Sequence, residues 1–88
     1  MNAAELQARR EIVAVSQALD AAGLVPNKSG NVSCRRPEGF LITPAGVPYR
    51  DLTVEQIVPL ALDRAPESGG LRPSSEWRMH AAIYARRP

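Results

Sequence analysis

The chemistry-bearing residues of this chain concentrate at Pro73-Ser74-Ser75-Glu76-Trp77-Arg78, where two hydroxyls and a carboxylate precede an apolar helical pattern. The pattern predicts a helix start near Ser74 or Ser75. The first amide N–H groups of a helix lack intrahelical acceptors, and the macrodipole adds about half a positive charge there. Small hydroxylated residues at that point either cap the helix or help to hold an anion such as phosphate. Glu76 is then a candidate proton-transfer group or metal ligand. Two further segments can present N–H groups to an anion. Ser29-Gly30-Asn31 joins a glycine able to take positive φ to an amide donor, and Pro44-Ala45-Gly46 reads as a tight turn whose N–H groups form a nest. Each of the three also has a plain reading as a cap or a turn.

The elements that must position these groups follow from periodicity. Residues 3–22 are predicted helical, because Leu6 and Val13, and likewise Ile12 and Leu19, fall seven apart on one stripe with charges opposite. Gly23 is a natural helix stop, with Leu24 placed to fold back onto the last turn. After a turn over 26–31, the runs Val32-Ser33-Cys34 and Phe40-Leu41-Ile42-Thr43 flank Arg35-Arg36-Pro37-Glu38-Gly39 and predict a hairpin. Thr53-Val54-Glu55-Gln56 fits a capping box and a short helical turn. Residues 57–62 are apolar enough for a buried strand, and 63–70 form a Pro/Gly-rich loop. The last helix runs towards Arg86, with Trp77, Ala81 and Tyr84 on one face and Glu76, His80 and Ile83 on another.

Gross properties narrow the function classes. With 88 residues and a net charge of +2, the chain is one small domain or part of a larger one. That charge is too weak to point to nucleic acid or membrane partners. The pairs Arg9-Arg10, Arg35-Arg36 and Arg86-Arg87 are not interleaved with aromatics and read as solvated surface. The single cysteine, Cys34, excludes an intrachain disulfide and reads as a small buried hydrophobe beside a strand. No signal-peptide pattern and no membrane-length apolar run is present, so a cytoplasmic location is expected.

Taken in order, Ser29-Gly30-Asn31-Val32-Ser33, then Leu41-Ile42-Thr43-Pro44-Ala45-Gly46-Val47-Pro48-Tyr49, then Pro73-Ser74-Ser75-Glu76-Trp77-Arg78 with His80, Ile83-Tyr84 and Arg87-Pro88, resemble the N-terminal portion of the class II aldolase/adducin family. The bacterial L-fuculose-phosphate aldolases are the most similar branch. The resemblance implies a three-layer α/β/α domain with a largely antiparallel sheet, of which residues 1–88 are the N-terminal portion. It implies a zinc-dependent enzyme that cleaves a ketose 1-phosphate to dihydroxyacetone phosphate and an aldehyde, assembled as a homotetramer. Carried over by motif, the substrate phosphate falls on Gly30, Asn31, Ala45, Gly46, Ser74 and Ser75. Glu76 is the implied catalytic acid/base and also a zinc ligand.

The match has departures. Ala45 stands where relatives often carry Ser or Thr, leaving only its backbone N–H for the phosphate. Asn27-Lys28 replaces a common Gly-Thr. The histidines that complete the family's zinc site have no counterpart here, and the only histidine, His80, matches no family ligand and reads as a packing residue or one that supports the site from behind. The expectation is therefore a fragment of an aldolase, inactive when isolated. Alternatives on the same scaffold are a sugar-phosphate 4-epimerase, a methylthioribulose-phosphate dehydratase, or a non-catalytic adducin-like scaffold. Glu76, where the epimerases carry aspartate, favours the aldolase.

Overall fold

A computed structural model describes residues 1–25, 30–66 and 70–87. In chain order these form helix α1 (Ala3–Ala21), strands β1 (Ser33–Arg36) and β2 (Gly39–Ile42), 3-10 turns at Tyr49–Asp51 and Val54–Gln56, strand β3 (Val58–Ala61) and helix α2 (Trp77–Arg86). The strands make one antiparallel sheet in the order β1-β2-β3. Among the described residues β2 is therefore the central strand, and its four residues are all buried.

The pleat of β2 divides the core in two. Successive strand residues point to opposite faces, so Leu41 joins Ile12, Tyr49, Leu52 and Ile57 on the α1 side. Phe40 and Ile42 join Leu60 on the other side, where Trp77, Ala81 and Tyr84 of α2 cover them. The result is the expected α/β/α layering around an antiparallel sheet. The Trp77-Ala81-Tyr84 face predicted from spacing is the one that packs.

Local signals account for most boundaries. Asn2 Oδ1 accepts the Glu5 N–H at 2.8 Å and starts α1. At its other end Gly23, at φ 73°, donates to the Asp20 carbonyl while the Leu24 N–H reaches the Leu19 carbonyl, both at 3.0 Å. This double bond is the Schellman arrangement. Leu24 itself does not fold back, being 67% exposed. The capping box is present as foreseen, with the Thr53 N–H donating to Gln56 Oε1 at 2.9 Å. β3 is an edge strand in which only Leu60 is fully buried, and Pro59, which has no N–H to donate, is tolerated there.

Arg9 and Arg36 depart from the solvated reading, whereas Arg10, Arg35, Arg86 and Arg87 are exposed as that reading expects. In β1, Arg35 lies opposite Phe40 and Arg36 opposite Gly39, so neighbouring arginines face opposite layers. Arg35 lies 4.9 Å over the Tyr84 ring and donates to the Tyr84 carbonyl at 3.0 Å. Arg36 pairs with Glu5 of α1 at 2.5 Å. Arg9 is only 6% exposed and sits between Ile12 and the 54–57 segment. Arg35 and Arg36 each clamp a helix to β1, and Arg9 ties α1 to the segment leading into β3.

Candidate functional site

Thr43, fully buried at the end of β2, joins the three segments singled out by chemistry. Its N–H donates to the Val32 carbonyl at 3.0 Å, and its Oγ1 accepts the Val32 N–H at 3.2 Å. Its carbonyl accepts the Ser74 N–H at 2.9 Å. Next to it Pro44 and Pro73 form an antiparallel bridge, and the Ala45 N–H donates to the Arg72 carbonyl at 2.9 Å. One residue thus ties Asn31-Val32, the 43–46 loop and the approach to α2 into a single unit. Sequence reading placed Thr43 within the motif without giving it this role; its signal is a β-branched hydroxyl directly ahead of a proline at a strand end.

That tie moves the start of α2. Ser74 was expected to open the helix, but its backbone N–H is held by Thr43 in extended pairing, so helical geometry begins only at Trp77. Between them lies a turn in which the Trp77 N–H bonds the Ser74 carbonyl at 3.1 Å and the Glu76 N–H bonds Ser74 Oγ at 3.3 Å. Ser74 is buried and serves as a cap of this turn, whereas Ser75 and Glu76 are exposed. A hydroxyl and a carboxylate are thereby presented side by side to solvent.

The two glycines of the motifs are required for different reasons. Gly46 adopts φ 78°, with nothing within 4 Å of a would-be Cβ, so its need is conformational and suits the predicted nest. Gly30 does not take positive φ, contrary to expectation. A Cβ there would lie 2.4 Å from Val25 Cγ1 and 3.3 Å from the Tyr49 ring, so it is required by close packing. In the Gly46 loop the Ala45 N–H donates to the Arg72 carbonyl, while the Gly46 N–H has no backbone acceptor among the described residues. Ser29 and the Asn27-Lys28 pair lie outside the described residues.

Asn31 reaches the first turns of α2 through His80, whose Nε2 lies 2.5 Å from Asn31 Oδ1. His80 Nδ1 lies 2.6 Å from Ser33 Oγ, which in turn lies 2.7 Å from the Tyr84 hydroxyl. Burial holds the imidazole below its usual protonation range, and the Glu76 charge partly opposes this. Cys34 packs half-buried against the α1-side core, and burial together with Glu11 pushes its thiol up, the opposite of an activated nucleophile.

A catalytic or structural zinc needs three or four protein donors. Among the described residues no three His, Cys, Asp or Glu side chains come together. Both ring nitrogens of His80 are already engaged, so Glu76 is the one carboxylate at this site and these residues alone do not fit a zinc ion. No helix of the described residues is long and apolar enough to cross a membrane.

If Thr43 is the tie, Thr43→Val should leave the Val32 N–H without its side-chain acceptor. The expected cost is about 1–3 kcal/mol in urea unfolding, with faster amide exchange at Val32. An unchanged midpoint and unchanged exchange would show the side-chain bond of the tie to be dispensable.

Residues 10–88 match the family model described as Class II Aldolase and Adducin N-terminal domain. L-fuculose phosphate aldolase of Escherichia coli strain K12 is 44% identical over 79 residues, covering 90% of this chain and 36% of that protein. A 5-methylthioribulose-1-phosphate/5-deoxyribulose-1-phosphate aldolase of Escherichia coli O45:K1 is 42% identical over 78 residues, covering 89% of this chain and 36% of that one. A solved L-fuculose 1-phosphate aldolase superposes with a TM-score of 0.83 at 26% identity, over 93% of this chain and 40% of its own. The chain therefore spans between a third and a half of the length of these relatives.

Proposed function

This chain belongs to the class II aldolase and adducin family, and from that premise we propose that it forms the phosphate-binding wall of a zinc-dependent aldolase acting on a ketose 1-phosphate of the L-fuculose 1-phosphate kind. The products are dihydroxyacetone phosphate and an aldehyde. The observation that carries the proposal is that Thr43, bonded to Val32 and Ser74, joins the segments that carry Asn31, Gly46, Ser75 and Glu76.

In this reading the phosphate takes the Gly46 N–H, the Asn31 amide and the Ser75 hydroxyl and N–H, at the mouth of α2, where the macrodipole favours an anion. Gly30 and Ser74 shape the site from behind, Gly30 by letting the backbone pack on Val25 and Tyr49, Ser74 by closing the turn ahead of Trp77. Ala45 contributes through the Arg72 bond that sets the loop. Anchoring the phosphate fixes the three-carbon fragment next to Glu76. In cleavage, Glu76 in its protonated form delivers a proton to that fragment at the carbon whose bond has broken; in condensation its carboxylate removes it.

The family is generally metal-dependent, and Glu76 is the ligand these residues offer to zinc. The remaining ligands must come from beyond the described residues, so the 88-residue chain is expected to bind phosphate without cleaving the sugar. The working enzyme would be a cytoplasmic homotetramer. Two of the relatives described above are named for different sugars, so the common feature of the substrate in this reading is the phosphorylated end.

Titrating the ¹⁵N-labelled chain with inorganic phosphate tests the site. Resonances of Asn31, Gly46 and Ser75 should shift together with one dissociation constant. Ser75→Ala should weaken that constant about tenfold, the effect of losing one charge-assisted hydrogen bond. Shifts confined to the arginines of the α2 end, or none, would overturn the reading.

A further inference from the structure

The contact between β1 and α2 is polar in a place where the rest of that layer is apolar. Asn31, two residues ahead of β1, and Ser33, its first residue, both meet α2, where His80 and Tyr84, four apart, face them. The four side chains form one line: Tyr84 hydroxyl to Ser33 Oγ at 2.7 Å, Ser33 Oγ to His80 Nδ1 at 2.6 Å, and His80 Nε2 to Asn31 Oδ1 at 2.5 Å.

With the Asn31 carboxamide oxygen turned to the imidazole, the donor inventory assigns every proton in this line. Asn31 Oδ1 only accepts, so His80 Nε2 carries the proton. A neutral imidazole then has its lone pair on Nδ1, so the Ser33 hydroxyl donates to it. The Ser33 oxygen is left to accept from the Tyr84 hydroxyl. With Oδ1 held by the imidazole, the Nδ2 protons occupy the other arm of the carboxamide, and among the described residues no protein group accepts them.

We propose that His80 is a positioning residue: backed by Ser33 and Tyr84, it fixes the Asn31 carboxamide so that Nδ2 donates to an oxyanion of the bound phosphate. This rests on the reading of Asn31 as part of the phosphate site. A free asparagine amide flips and pairs equally well through either arm, and would have to be ordered at the moment of binding. The relay orders it beforehand. His80 thus takes a role that neither a metal ligand nor an apolar packing residue would have. Tyr84 adds to its aromatic contact with Phe40, ring centroids 5.1 Å apart, a second duty through its hydroxyl.

Two measurements on the 88-residue chain decide this. The imidazole ¹⁵N spectrum of the wild type, without ligand, should show a protonated Nε2 and a bare Nδ1. The opposite tautomer would mean that Asn31 presents its oxygen to the site, and would overturn the proposal. Tyr84→Phe keeps the ring on Phe40, and Ser33→Ala removes the central hydroxyl. Both should mix the tautomers and weaken inorganic phosphate roughly threefold to tenfold. Phosphate binding at wild-type strength in both variants overturns the proposal and leaves the phosphate site standing. A wild-type chain whose Asn31 side-chain resonances ignore phosphate overturns the site itself. If a variant loses its fold, the wild-type tautomer still decides.

Discussion

Arg9→Met should remove a large share of the folding free energy of this chain. Arg9 donates from Nη1 to the Val54 and Ile57 carbonyls at 2.8 and 2.9 Å, and from Nε to Glu5 at 3.0 Å. It is the cation through which α1 holds the segment leading into β3. Methionine keeps most of the volume but leaves two carbonyls, one of them in a buried bond, without their donor, and strips Glu5 of one of its two arginine partners. Breaking such a buried arrangement from one side costs about 3–5 kcal/mol. A domain of this size has a total of roughly 4–13 kcal/mol to lose. Arg9→Lys should recover only part, because a point charge cannot serve three acceptors with the geometry of a guanidinium fork.

The same pairing predicts the acid response. Burial alone would raise the Glu5 carboxyl, but the hydrogen bond and charge of Arg9, with Arg36 beyond it, leave it below its ordinary 4.5. A depressed carboxyl contributes stability that is present above that ordinary value and lost as pH falls through the folded one. Urea midpoints should therefore drop below about pH 4.5 in the wild type, and drop less in Arg9→Met. Equal midpoints for the two chains at neutral pH would show that Arg9 has no part in holding the layers.

Gly39→Ala is the second large effect. Gly39 sits in β2 at φ 154°, and an added Cβ would lie 2.0 Å from the Leu60 carbonyl oxygen and 2.9 Å from Ala61 Cα. Both are backbone atoms of the paired strand, which cannot yield without parting the β2–β3 ladder at Gly39 and Ala61. Overpacking and backbone strain together put the cost at about 3 kcal/mol or more. For a chain of this length that lowers the melting temperature by about 12–24 °C. Gly46→Ala is the control: its conformation is equally specialised but its surroundings are open, so only about 1–2 kcal/mol should be lost. Equal shifts for the two would show that the contact with Leu60 is not what matters.

Much of this fold was legible because its signals are local. The Gly23 stop, the hairpin, the turn at Val54–Gln56 and the Trp77-Ala81-Tyr84 face all depend on residues within a few positions of each other. The order of the three polar motifs likewise pointed to the family whose model the chain matches. What escaped depends on partners distant in sequence. Arg9 and Arg36 read as surface because a charge carries no sign of what it will meet, and their partners lie up to 48 residues away. The start of α2 was misplaced because the chain at Pro73 and Ser74 is paired in extended geometry with Thr43 and Pro44, about 30 positions upstream. The need for Gly30 was assigned to backbone conformation when it comes from Val25 and Tyr49.

Because the three polar segments are bonded to one another at Thr43, the chain between them does not set their spacing. Residues 46–72 leave this knot and return to it. Lengthening an exposed stretch of that excursion changes mainly the entropy of closing a loop, which grows only with the logarithm of its length, about 0.6 kcal/mol for each doubling. Insertions near Asp63 and Arg64, both well exposed, should thus be absorbed without moving Gly46 relative to Ser75. Within this architecture the long connections are free to diverge in length and composition while the anion-facing groups stay in place.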